Sequence, residues 1–112
     1  MAKTLIYNGM NIRLGLSNYR DNNRVALLVY AEYDGVYEDY DVATVNLSDE
    51  PVLGNDYNYM DENNMPGITK VLAEAGLAEN TGIMGFSGYC QYPLVKLNLD
   101  KIQEYVEVAN EE

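Results

Sequence analysis

At 112 residues, with 47% hydrophobic and 22% charged side chains, the chain has the size and apolar content of one folded domain, 1–112, and is too apolar for global disorder. A formal net charge of −11 opposes direct contact with nucleic-acid phosphates or anionic lipid, and no apolar run approaches the roughly 20 residues of a membrane-spanning helix. Histidine is absent, which removes the usual general base and metal-site nitrogen, so the composition speaks against an enzyme and calls for no cofactor.

In chain order, Lys3 to Tyr7 and Met10 to Leu16 flank Asn8-Gly9, a pair that tolerates positive φ and therefore predicts a tight hairpin. Ser17 to Asn23 is polar and predicts a loop, and Arg24 to Tyr33, rich in Val, Leu and Tyr, predicts a third strand. A second turn at Asp34-Gly35 leads into a fourth strand from Val36 to Leu47, completing an antiparallel meander. Ser48 to Asp61 carries turn residues and predicts a loop with a short extended piece at Tyr57 to Met60. Asn63 or Asn64 is placed to cap a helix beginning near Pro66, and Gly76 to end it. The glycines at 82, 85 and 88 predict an ordered loop from Leu77 to Tyr89, after which Tyr92 to Leu97 forms a fifth strand. A last helix is expected from about Leu99 to Val108, with a fraying tail at residues 110–112. The expected fold class is α+β: an antiparallel sheet of about five strands, opened by an N-terminal meander, packed with two short helices.

Charge is distributed unevenly along these elements. Val25 to Thr69 holds ten carboxylates and neither Lys nor Arg, so this stretch carries −10 of the −11. If Asp34-Gly35 is a two-residue turn, Tyr33 pairs with Val36, Glu32 with Tyr37, Tyr30 with Asp39, Leu28 with Asp41 and Leu27 with Val42. One face, with Leu27, Val29, Tyr33 and Val42, then belongs to the core, and Glu38 falls on it awkwardly. The other interleaves Tyr30, Glu32, Tyr37, Asp39 and Asp41, which makes little sense as a buried surface. Carboxylates two residues apart on one strand face lie about 6.8 Å apart, similar to the spacing of phosphates along a nucleic-acid strand. Tyrosine adds contact area at small entropic cost. The candidate partner-binding residues are therefore Tyr30, Glu32, Asp34, Tyr37, Glu38, Asp39 and Asp41, and the expected partner is a basic protein surface, with no direct nucleic acid and no membrane.

Other motifs carry less. Gly85-Phe86-Ser87-Gly88-Tyr89 lacks the fifth glycine of a nucleophile elbow, and Gly82-x-x-Gly85-x-x-Gly88 lacks the spacing of a dinucleotide loop. Asp56 to Met60 begins like a calcium loop but places Met60 where an oxygen ligand belongs, so no metal site is expected. Asp61 and Glu62 suit the positive end of the following helix better than paired-carboxylate chemistry. Cys90, the single cysteine, is expected to be a buried, unreactive small hydrophobe; with no secretory leader visible, it fits a cytoplasmic setting.

The segment Thr81-Gly82-Ile83-Met84-Gly85-Phe86-Ser87-Gly88-Tyr89-Cys90-Gln91-Tyr92-Pro93-Leu94, followed by Leu99-Asp100-Lys101-Ile102-Gln103-Glu104-Tyr105, resembles the C-terminal signature of a family of small acidic proteins of unknown function. That family is carried on conjugative elements, plasmids and phages of Firmicutes. Tyr7-Asn8-Gly9-Met10, Leu14 to Tyr19, Asp34 to Glu38 and Val45-Asn46-Leu47 are similar too. The resemblance implies a mobile-element context, in which several small acidic proteins block host defences by occupying basic surfaces meant for nucleic acid. The function expected on this ground is a non-enzymatic inhibitor of a defence nuclease, anti-CRISPR in type with a CRISPR effector of the Cas9 kind as target. The alternative is an accessory or scaffold protein of a conjugative element that binds a basic protein partner. A third reading is a small hydrolase or metal-dependent enzyme, against which the missing histidine counts.

Overall fold

A computed structural model describes residues 2–107. Two four-stranded antiparallel sheets and two short helices make up the α+β architecture. The first sheet is a meander of β1 (Leu5–Tyr7), β2 (Met10–Asn18), β3 (Val25–Tyr33) and β4 (Val36–Val42), in that spatial order. Its turns are those expected: Asn8 and Gly9 have φ of 51° and 77°, and Tyr7 faces Met10 across them. The second sheet runs β5 (Thr44–Val45), β6 (Tyr57–Met60), β8 (Cys90–Leu97) and β7 (Ala78–Ser87).

The chain passes between the sheets at Ala43, where the expected fourth strand from Val36 to Leu47 divides. The Ala43 N–H donates to the Leu27 carbonyl of the first sheet at 2.8 Å, and its own carbonyl accepts the Asp61 N–H at 2.8 Å. Ala43 is fully buried, so a larger side chain has no room at this crossing. The main core fills the space between the layers. Ile12, Leu14, Leu27, Val29 and Ala31 come from the first sheet, Met60, Val95 and Leu97 from the second, and Ile68 and Leu72 from α1 (Ile68–Glu74). A smaller cluster of Leu47, Tyr59, Tyr92 and Leu94 packs with Val45, Val52, Tyr57 and Cys90. Asn58 ties the layers together, its buried amide donating to the Val25 carbonyl at 2.7 Å.

The start of α1 corrects the expectation for Asn63 and Asn64. Glu62 reaches forward instead, accepting the N–H groups of Gly67 and Thr69 at 2.8 Å each, which satisfies two amides that the helix cannot. Gly76 ends the helix with φ of 76°, its N–H bonding Ala73 and that of Leu77 bonding Leu72, the paired closure that a left-handed residue permits.

The largest correction is β7, a ten-residue strand where Leu77 to Tyr89 reads as a loop. Gly82, with φ of 84°, sits in a break of register between Asn80 and Met84. Met84 at the end of that break faces Pro93, which has no N–H to give to a ladder. Gly85 leaves room for the Tyr59 ring, since a Cβ there would lie 2.5 Å from it. Gly88, with φ of 60°, forms the turn into β8.

The final helix is shorter than expected: α2 (Leu99–Ile102) passes into a 3-10 turn at Gln103–Tyr105, with the Asn98 side chain accepting the Lys101 N–H at 3.1 Å. Val106 is extended and bridges Leu14 in parallel, and the expected end at Val108 and the tail lie outside the described residues. Cys90 is half-buried, not buried, and its sulfur accepts from Asn63 at 2.9 Å. Among the described residues, no helix is long and apolar enough to cross a membrane.

Candidate partner-binding face

The β3–β4 hairpin turns at Asp34 and Gly35, with φ of 52° and 82°. Tyr33 faces Val36, Glu32 faces Tyr37, Ala31 faces Glu38 and Tyr30 faces Asp39, the expected register. A bulge then intervenes. Tyr40 has no partner, and the next pairs are Val29 with Asp41 and Leu28 with Val42, one residue out of step with the sequence reading.

The bulge decides which candidates share a face. Tyr30, Glu32, Tyr37 and Asp39 lie together on the side turned away from the main core. Asp41 does not join them. Its register with Val29 moves it to the other side, near the buried phenol of Tyr7, whose pKa is raised by burial first and by neighbours including Tyr40 and Asp41. The evenly spaced carboxylate row of Asp39 and Asp41 is therefore absent. Glu38 lies on the core-facing side, as its register required, yet it is exposed because the core stops at Ala31. Past that point the hairpin projects, leaving Tyr33 45% and Val36 58% exposed, so the expectation that Tyr33 points into the core is wrong. Leu27 and Val29 are buried as expected, but the bulge pairs Val42 with Leu28 and turns it away from the main core, where it is half-buried. Asp34 sits in the exposed turn. The result is an arm with Glu32 and Asp39 on one side, Glu38 and Asp41 on the other and Asp34 at the tip. Tyr33, Val36 and Tyr40 supply exposed apolar area beside them.

Two residues of this face come from β2 and are invisible to a reading of the hairpin alone. Asn11 donates to Glu32 at 3.0 Å. Arg13 lies opposite Tyr30, stacks its guanidinium 4.3 Å from the centre of the Tyr37 ring and pairs with Glu107 at 2.6 Å. The alternation of β2 was the only sequence clue, placing Asn11, Arg13 and Gly15 on one side. Gly15 is needed there, because a Cβ would meet the Tyr30 ring at 2.9 Å. A shallow groove of about 370 Å³ runs beside Arg13, Gly15, Leu28, Tyr30 and Tyr37.

Asp61, Glu62 and Glu50, in the same basic-free stretch, have structural partners. Asp61 accepts both the backbone and side-chain N–H groups of Asn64, at 3.2 and 2.9 Å. Burial opposes ionisation of Glu62, but Thr69 and the amides of Gly67 and Thr69 outweigh it and hold the carboxyl below its ordinary range. Glu50 accepts the Phe86 N–H at 2.9 Å, while its carbonyl and that of Leu47 are held by Arg24 at 2.6 and 2.7 Å. Within the hairpin, Glu32 is bonded to Asn11 and Asp41 to its neighbouring amide, while Asp34, Glu38 and Asp39 are exposed.

Residues 13–112 match the family described as a domain of unknown function, DUF4313. The chain belongs to that family. The match begins within β2 at Arg13 and therefore includes the acidic arm and the second sheet, but not β1. No curated protein and no solved structure matches the chain.

Proposed function

We propose that the β3–β4 hairpin of this DUF4313 protein is a docking arm for a basic protein surface of the kind that otherwise holds nucleic acid. The observation that carries this reading is the arm itself: five carboxylates, no Lys or Arg in its own strands, and exposed Tyr33, Val36 and Tyr40 on a hairpin that projects past the core. Exposed charge of one sign steers an oppositely charged partner, and tyrosines hold it once docked. The carboxylates surround the arm instead of forming one row, which suits insertion into a positively charged cleft better than imitation of a single nucleic-acid strand. With the resemblance to acidic proteins of mobile elements, this supports a non-enzymatic inhibitor of a bacterial defence nuclease, an anti-CRISPR protein aimed at a Cas9-type effector.

The test is partner capture from host lysate with the wild-type protein and with a Glu32→Lys, Glu38→Lys, Asp39→Lys variant, each with and without competing duplex DNA. The wild type captures a nucleic-acid-handling protein, the variant does not, and duplex DNA displaces it. Equal capture by both baits would remove the arm from the binding site.

A further inference from the structure

We propose that the outer edge of β4 is where the partner pairs, and that the partner supplies an extended, lysine- or arginine-bearing segment that adds to the first sheet as a further strand. This rests on the functional reading above and specifies how the basic partner is held. β4 is the marginal strand of its sheet, and among the described residues no element pairs with its outer side. Because Asp34-Gly35 is a two-residue turn, Tyr33 and Val36 exchange both hydrogen bonds, and so do Ala31 and Glu38. The amides and carbonyls of Tyr37 and Asp39 consequently point away from β3, the template that an incoming strand uses. Beyond the bulge the edge closes, since the Val42 N–H is taken by the Asp41 carboxylate at 2.7 Å. The open length is Val36 to Tyr40.

Charge selects the occupant. Glu38 and Asp39 present carboxylates on the two sides of the strand, so a paired segment with alternating side chains meets an acid on either side. A second copy of this chain is disfavoured, because pairing two such strands sets like charges roughly 5 Å apart. Charge alone suffices to keep an edge from aggregating, and exposed Tyr33, Val36 and Tyr40 add nothing to that purpose; beside a docked strand they become contact area.

The experiment titrates the full-length protein with a Lys-Val-Lys-Val-Lys-Val peptide and with the same peptide N-methylated at every residue, which keeps the charges and loses the backbone donors. Binding and residue-level amide hydrogen exchange are both read. The unmodified peptide is expected to slow exchange at Tyr37 and Asp39, and N-methylation to weaken binding about tenfold or more, the effect of losing two backbone hydrogen bonds. Equal binding by both peptides, without added protection at Tyr37 and Asp39, would overturn strand pairing while leaving charge docking in place. Binding by neither would overturn both.

Discussion

Arg13 and Tyr37 form a cation–π pair across three strands, the guanidinium 4.3 Å from the ring centre, and this contact fixes a cation within the acidic face. Arg13 is mostly buried and also pairs with Glu107, itself more than half exposed. Arg13→Ala is expected to cost about 1 kcal/mol, the sum of a modest stacking term and a screened surface ion pair. Arg13→Lys restores little of it, because an ammonium does not reproduce the planar stack. Urea unfolding of the two variants measures both. Docking to a basic partner is expected to survive or strengthen in Arg13→Ala, since the face loses its positive charge.

Asn58 joins the two layers through a fully buried amide that donates to Val25 and accepts the Tyr59 N–H at 2.8 Å. Asn58→Ala strands the Val25 carbonyl and is expected to cost about 1–3 kcal/mol. Asn58→Asp costs more at neutral pH and recovers part of its stability on acidification, because only the protonated carboxyl can donate to Val25. Thermal or denaturant unfolding across pH checks the sign.

Glu62 gives stability with a pH dependence. Its pKa is lower in the folded chain than in the unfolded one, so its contribution is complete above the ordinary carboxylate range and is lost as the pH falls through the folded value. Glu62→Gln is expected to cost about 1 kcal/mol at neutral pH, the scale of a helix-capping interaction, and to converge with the wild type in acid. A constant difference across that range would show that the carboxylate charge is not what stabilises the start of α1.

Local turn chemistry made half of the fold legible. Asn8-Gly9 and Asp34-Gly35 each demand positive φ at two successive positions, and they fixed both hairpins and most of the arm's register. The bulge at Tyr40 was not legible, since nothing local distinguishes an extra residue from its neighbours, and it moved Asp41 off the face. β7 was hidden because its glycines resemble loop punctuation. Gly82 at the register break and Gly85 beneath the Tyr59 ring answer to the tertiary structure, which the chain cannot show one residue at a time. Glu62 displaced Asn63 and Asn64 as the cap because a longer side chain reaches the amides from outside the turn. Within the site, Arg13 was missed for a related reason: it belongs to another strand, and the absence of cations from Val25 to Thr69 is a property of the chain and not of the surface.

The most direct test of the docking arm is the affinity of the wild-type protein and the Glu32→Lys, Glu38→Lys, Asp39→Lys variant for a purified Cas9-type nuclease loaded with guide RNA, across rising salt and with folding followed by circular dichroism. The wild type is expected to bind, with an affinity that falls steeply with salt because exposed charges act over a Debye length of about 8 Å at physiological ionic strength, and the folded variant is expected to lose binding. Salt-independent binding, or a variant that binds as tightly as the wild type, would contradict docking through the arm.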